Sequence, residues 1–431
     1  MTMTVAVIGA GAAGLACAAL LAEHGCGVEV FEASPRIGGR VRSWPARIPT
    51  APAAGSPVWE LGAQMVHAPG LDLLGRRYGL EVVPAPRSEF AFLVDGTTLP
   101  VWRADRRGIR PWELAGRLPP AGSGSVADWL LAAVPAGAPN RVARAWFEQE
   151  WACAAEVLSL PAAAAWVADR SRPTAVKAAE SVVPAGLSAL IRRLARGVVV
   201  HCSAPVRRVC VTGSRPWIEV HDSRVEVDAV VLTVPPWTLG HAGGAGLLLT
   251  GVPAARVNAA RSLTAGDAVV AVVTWSHAGP SDRTVFDVDG HGFLRSRAGT
   301  AQIQVVSKGP SAAVARACIA DPEALIRLLR QAFDWTDGGR PTDIVVADWG
   351  RDRFIGGAFS APTPGHLTAR HALRGLSGSG LHLAGEATRL DGSAGRLHGA
   401  VQSGIEAAAH VLDAVSARPR PVAALTPGGA L

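Results

Sequence analysis

Apolar residues in this chain come mostly in short unbroken runs bounded by glycine, proline and charge, the pattern of strands buried on both faces. The first run covers residues 5–8 and passes straight into Gly9-Ala10-Gly11-Ala12-Ala13-Gly14. Small residues with helical spacing follow over 15–22, and a second apolar run over 28–31 ends on Glu32. Strand, glycine turn, helix and strand make a βαβ unit. Farther on, residues 87–102 alternate about Asp95-Gly96 and predict a hairpin. Helical spacing over 126–177, rich in Ala and Trp, predicts a helical insert, and 186–196 predicts another helix. Strands are predicted at 198–201, 206–212, 217–221, 225–233, 269–275, 284–287, 301–307, 343–349 and 381–384, and helices at 322–333 and 400–415. The Pro-, Ala- and Gly-rich tail 416–431 is expected to be disordered.

The first glycines carry chemistry. Gly9 permits the tight turn, Gly11 lets a pyrophosphate approach the backbone, and Gly14 lets helix and strand pack closely. Ala12 and Ala13 open the helix, whose N-terminus offers unpaired N–H groups and a positive dipole end to phosphate. Glu32, with Ala33 beside it, stands where a ribose hydroxyl is accepted. An acid here favours a free 2′-hydroxyl, hence FAD or NAD over NADP.

Length and composition set the frame. A chain of 431 residues, 49% hydrophobic, has material for two domains. The net charge is +7, yet the arginines are scattered and no nucleic-acid motif accompanies them, so no nucleic-acid partner is expected. The six cysteines show no metal spacing, and no metal site is expected; a reducing, cytoplasmic setting fits. The first apolar run serves as a strand, so no signal peptide is expected, and no window reaches the roughly 20 apolar residues of a membrane span.

Arg36-Ile37-Gly38-Gly39-Arg40 goes beyond a generic dinucleotide site, and with it the chain begins to resemble the flavin amine oxidase superfamily of monoamine, polyamine and L-amino acid oxidases. Four further segments share the resemblance: Glu60-Leu61-Gly62-Ala63-Gln64-Met65-Val66-His67; residues 230–235, ending in Thr233-Val234-Pro235; Trp349 with Gly356-Gly357-Ala358-Phe359-Ser360; and Gly385-Glu386 followed by Gly395-Arg396-Leu397-His398-Gly399-Ala400. The resemblance implies a discontinuous Rossmann-type FAD-binding domain of α/β class (1–75, 185–240 and 378–415). It implies an α+β substrate domain, a sheet flanked by helices, from 76–184 and 241–377.

It also implies roles. Gly39 and Arg40 would meet the pyrophosphate, Arg40 with a planar fork of donors. Gly62, Ala63, Gln64 and Met65 form the loop that passes the flavin, and Val206 contacts adenine through its backbone. Trp349 and Gly385 line the flavin site, and Glu386 accepts from the ribityl chain. Gly395, Arg396, Leu397 and Ala400 open a helix whose N-terminus faces the flavin N1–C2=O.

Three departures from the family pattern stand out. The family's mid-chain lysine position reads Ala268, with neither lysine of the sequence, Lys177 or Lys308, nearby along the chain. Of two tyrosines that frame the amine, one is matched by Phe359 and the other falls on Arg396. The cysteine that tethers flavin in monoamine oxidases is replaced by Ala358, which implies noncovalent FAD.

Arg396, Gln64, Phe359 and His67 are the catalytic candidates. Arg396 could meet a substrate carboxylate or carbonyl, or pair with Asp391 or Glu386. Gln64 and His67 could donate to substrate or flavin, or cap a turn; His398 reads as structural. The tryptophans of the insert, Trp129, Trp146, Trp151 and Trp166, could wall a bulky pocket or fill a core.

The expected reaction is FAD-dependent oxidation of a C–N bond in an amine, amino-acid-like or natural-product substrate, with O2 as acceptor. The alternatives are a C–C desaturase using another acceptor and a flavin-binding protein without turnover. A homodimer is one assembly open to such a chain.

Overall fold

Five parallel strands, in the order Leu381–Leu383, Ala229–Leu232, Thr4–Ile8, Gly27–Phe31 and Val199–His201, form the sheet on which the glycine turn rests. In this computed structural model the described residues are 2–46, 58–66, 70, 72–106, 111–119, 123–170, 181–240, 246–377 and 380–416. His67 and all of the tail beyond Ser416 lie outside them. Val5, Val7, Val230 and Val231 are buried, as a parallel sheet covered on both faces requires.

The first helix, Ala12–Glu23, packs on this sheet and against Leu397–Ser416. Small residues allow a close approach: a Cβ on Gly404 would come within 2.1 Å of the Ala13 carbonyl oxygen. The two ends of the chain are thereby fused into one wall.

A second sheet of seven strands runs Pro341–Asp348, Ala268–Trp275, Gln302–Lys308, Gly292–Ser296, Arg283–Asp287, Glu89–Val94, Thr97–Pro100. Its pairs are antiparallel except Arg283–Asp287 with Glu89–Val94. Helices Pro310–Ala320 and Pro322–Ala332 cover one face with Leu325, Leu328 and Leu329. The other face, with Val270, Gln304 and Val306, looks into a cavity. The predicted insert contains Val126–Ala133, started by a Ser125–Asp128 capping box, then Ala138–Trp151 and Leu160–Arg170.

The apolar run 225–233 is not one strand. Ser223–Glu226 ends a four-stranded sheet with Trp217–Val220, Val206–Cys210 and Leu248–Thr250, while Ala229–Leu232 joins the parallel sheet. Asp228 makes the break. Its Oδ2 accepts from the Thr4 backbone N–H at 2.9 Å, steering the chain from one sheet to the other.

Candidate functional site

A cavity of about 1200 Å³ extends from the glycine turn, between the parallel sheet and the seven-stranded sheet, to the helix Ala138–Trp151. It exceeds the roughly 300–1,000 Å³ of a pocket for one small ligand, so it has room for a dinucleotide and a substrate together.

The end at the parallel sheet is built for a dinucleotide. Gly9 takes φ +104°, a left-handed conformation that suits glycine. Gly11 is the N-cap of Ala12–Glu23, with no side chain capping the helix and no acid in its first turn. A Cβ on Gly11 would meet no protein atom within 4 Å and would project into the cavity it lines. Unpaired N–H groups, a positive dipole end and an open cradle fit a phosphate. The Glu32 carboxylate is fixed by the N–H groups of Ala10 at 2.7 Å and Ser34 at 2.8 Å, one on each oxygen. Each oxygen keeps acceptor capacity for a ribose hydroxyl.

Glu386 gathers distant segments. Oε1 accepts from Arg40 Nη1 at 3.0 Å and Ser360 N–H at 3.2 Å; Oε2 accepts from Ser360 Oγ at 2.6 Å and Gly395 N–H at 3.0 Å. Burial opposes its ionisation, but Arg40 and Arg370 outweigh it and hold the carboxyl below the usual range. Arg370, itself buried, donates to Ser360 Oγ at 2.8 Å and to the Ala387 carbonyl at 2.9 Å.

The four acceptor sites of the Glu386 carboxylate are thus taken by protein donors. The carboxylate thereby holds Arg40 and the Gly395 turn at the cavity wall. Arg40 Nη1 also donates to the Ala358 carbonyl at 2.8 Å.

At the far end the wall is aromatic and charged. Phe90, Trp146 and Phe293 line it, with Phe359, Lys308, Arg295, Glu150 and Arg396. Arg396 pairs with Glu150, Nη2 to Oε1 at 2.9 Å. The sequence suggested Asp391 or Glu386 for this ion pair; Asp391 is instead held by Arg389, and Glu386 by Arg40. Gln64 donates to the carbonyls of Glu60 at 2.6 Å and Gly62 at 3.0 Å and accepts from Arg295, so it ties the loop together in the way a turn cap does. His398 is buried, and that burial with the Arg396 charge pushes its pKa down to about 4.

The larger correction concerns lysine. Lys308 is paired with Ala268 across neighbouring strands, and both line the cavity. Its Nζ lies 5.7 Å from the centroid of the Phe359 ring. The expectation that no lysine is near was a statement about sequence distance.

The other expected cofactor residues also border the cavity: Ala12, Ala13, Ala33, Gly39, Gly62, Ala63, Met65, Val206, Trp349, Gly385, Gly395, Leu397 and Ala400. Gly14 stands behind them, where a Cβ would fall 2.0 Å from the Gly9 carbonyl oxygen. Trp349 is fixed by an Nε1–H bond to the Leu61 carbonyl at 2.7 Å. Of the insert tryptophans, Trp146 lines the cavity, Trp151 is buried and stacked on Phe147, and Trp129 packs edge-on against Phe147.

The model of flavin-containing amine oxidoreductases matches residues 12–412. The chain belongs to that family. The unpaired N–H groups at Gly11 and the Glu32 carboxylate fit the FAD that this family carries. Cyclohexylamine oxidase from Brevibacterium oxydans superposes with a TM-score of 0.76 at 20% identity, covering 96% of this chain and 100% of that one. Putrescine oxidase, in its wild-type form bound to putrescine, superposes at 0.74 with 20% identity, covering 96% and 99%. At such identity the likeness is one of fold.

A candidate flavin-containing monoamine oxidase of Mycobacterium tuberculosis, AofH, is 28% identical over 262 residues. That match covers 54% of this chain and 57% of the relative. Carotenoid phi-ring synthase of Streptomyces griseus is 50% identical over only 44 residues, 10% of this chain and 8% of that protein. No described helix is long and apolar enough to cross a membrane, and the described residues contain no cluster of three metal-ligating side chains.

Proposed function

We propose that this chain oxidises the C–N bond of a small-molecule amine to an imine, with noncovalent FAD as hydride acceptor and dioxygen as final oxidant. In the overall balance, one amine and one dioxygen give one imine and one hydrogen peroxide. The amine loses two electrons and two hydrogens, one from carbon and one from nitrogen, and dioxygen gains them. Bound FAD supplies the two-electron acceptor. The chain's own residues supply placement and exclusion of water. Glu386 holds Arg40 and the Gly395 turn, and the helix Leu397–Ser416 directs its positive dipole end at the cavity.

The observation that carries this reading is the continuity of one cavity, with the dinucleotide cradle at one end and Phe359, Lys308 and Arg396 at the other. Lys308 supports dioxygen as the acceptor: a cation in the cavity favours the anionic products of oxygen reduction. Six free cysteines agree with a reducing, cytoplasmic setting.

The test uses the FAD-loaded protein. A panel of primary and secondary amines is added without oxygen, and the visible flavin absorbance is followed. Bleaching by at least one amine, then recovery in air much faster than for free reduced flavin, is the expected result. Failure of every amine to bleach the flavin would remove the amine reading; bleaching with recovery no faster than free flavin would remove oxygen as acceptor.

A further inference from the structure

His398 is the second residue of the helix Leu397–Ser416, and its imidazole borders the cavity. The residue is 8% exposed, and its ring has no hydrogen-bond partner among the described residues. Buried polar groups are nearly always hydrogen-bonded, because an unpaired one loses its water and gains nothing in return. The neighbouring wall supplies no partner. A Cβ on Gly70 would come within 3.2 Å of His398 Cβ and 3.4 Å of Nδ1, so the ring lies alongside bare backbone. Val66, Gly70 and Leu397, which border the cavity with it, carry no side-chain donor or acceptor.

The start of this helix is also fixed. Glu386 holds the Gly395 N–H at 3.0 Å, and a Cβ on Gly399 would fall 2.1 Å from the Ser393 carbonyl oxygen. The turn before the helix is thus packed tightly against its first residues, and the ring is held at the cavity wall with its hydrogen-bonding capacity unused.

We propose that His398 is a cofactor-contact residue whose neutral imidazole hydrogen-bonds the pyrimidine edge of the flavin ring. This rests on FAD in the cavity and gives a role to a residue that reads as structural in the sequence. The match is chemical. The pyrimidine edge presents carbonyl oxygens beside an N–H, and a neutral imidazole presents one donor and one acceptor. Burial and the Arg396 charge keep the ring neutral, with a pKa of about 4; Arg389 acts in the same direction and Asp391 opposes them.

The location agrees. The ring stands at the positive end of a helix dipole, and the pyrimidine edge is where a flavin gains negative charge on reduction. A donor aimed at a carbonyl that becomes more negative holds reduced flavin more tightly than oxidised flavin. Phe359 and Lys308, at the other end of the cavity, stay clear for the substrate.

The test loads FAD into the wild type, His398→Phe and His398→Gln. Phe keeps a ring without its nitrogens; Gln keeps a donor and an acceptor. Infrared spectra of bound oxidised FAD, labelled with carbon-13 at C2 or C4, should show a pyrimidine carbonyl stretch at higher frequency in His398→Phe than in the wild type, returning toward the wild type in His398→Gln. Spectroelectrochemistry should give His398→Phe a midpoint lower by about 30 mV, a tenfold preferential loss of reduced flavin for a two-electron couple.

Neither reading needs a substrate, so the contact is judged whether or not any amine reduces the flavin. Equal carbonyl frequencies and midpoints in the wild type and His398→Phe overturn it. If the substitutions prevent folding, nitrogen NMR of the wild type decides: FAD should move the His398 ring-nitrogen signals, and signals unmoved by FAD overturn the contact. Failure of the wild type to bind FAD overturns the contact together with the FAD reading beneath it.

Discussion

Lys308 stands directly across from Ala268 in the antiparallel pair of Gln302–Lys308 with Ala268–Trp275, and both face the same cavity. Paired residues on adjacent strands share a face, with Cβ atoms about 5 Å apart. A position that looks vacated along the chain is therefore bordered by an amine from the next strand. If Lys308 assists the reaction of reduced flavin with oxygen, Lys308→Met should slow reoxidation in air at least tenfold while leaving anaerobic reduction by amine within about twofold. Rapid mixing resolves the two half-reactions. Equal reoxidation rates in both proteins would remove this role.

The second and third glycines of the turn, Gly11 and Gly14, should fail in different ways. A Cβ at Gly11 enters open cavity, whereas one at Gly14 meets the Gly9 carbonyl oxygen at 2.0 Å. Gly11→Ala is expected to melt like the wild type without cofactor but to bind FAD at least tenfold more weakly. Gly14→Ala should destabilise the cofactor-free protein by about 1–3 kcal/mol, the usual range for overpacking. Thermal melts of the stripped proteins and FAD titrations distinguish them. Identical behaviour of the two variants would contradict the assignment.

Much of the cofactor half was legible because its signals are local. The turn at Gly9 to Gly14, the acid closing the second strand and the turn at Gly38-Gly39 need only neighbours in sequence. The substrate half depends on register and on partners far apart. Nothing in the sequence says that Ala268 pairs with Lys308, or that Glu150 on an insert helix meets Arg396 from the C-terminal motif. Arg370 was invisible for a related reason: no motif marks it, and its burial beside Ser360 is a tertiary fact. The broken run at 225–233 shows the same limit, since periodicity marks apolar residues but not the sheet each one joins.

Glu60 gives the protein a pH dependence. Burial raises its carboxyl from the usual 4.5 to about 7, against hydrogen bonds from the Leu187 N–H at 2.7 Å and Ser43 Oγ at 3.0 Å. A carboxyl with a raised folded-state pKa holds its proton more tightly in the fold. Its contribution is fully present below pH 4.5 and is lost as pH rises through about 7. The change amounts to about 3 kcal/mol at 1.36 kcal/mol per pKa unit. Urea unfolding at pH 5 and pH 8 should show Glu60→Gln gaining stability relative to the wild type at the higher pH. A wild-type-minus-variant difference that is flat with pH would overturn the assignment.

The resemblance puts Ala358 where monoamine oxidases have their tethering cysteine, and the Ala358 carbonyl is engaged by Arg40. Acid precipitation of the FAD-loaded protein should therefore leave all the yellow colour in the supernatant. Flavin retained in the washed pellet would mean a covalent link elsewhere in the chain.

Arg370 should act on the flavin site through Glu386. It is buried, donates to Ser360 Oγ at 2.8 Å and to the Ala387 and Arg389 carbonyls at 2.9 and 3.2 Å, and helps keep Glu386 ionised. Arg370→Met removes a buried cation, leaves those oxygens without their donor, and weakens the field that opposes burial of the Glu386 charge. Such a loss typically destabilises by about 3–5 kcal/mol. Glu386 would then rise toward protonation and loosen its hold on Arg40 and the Gly395 turn, so FAD affinity should fall at least tenfold. Glu386→Gln in the same background removes the uncompensated charge and should recover part of the stability lost in Arg370→Met. A double-mutant cycle on urea midpoints and FAD affinity measures that coupling. Strict additivity of the two substitutions would show that Arg370 serves only its carbonyl partners and does not support Glu386.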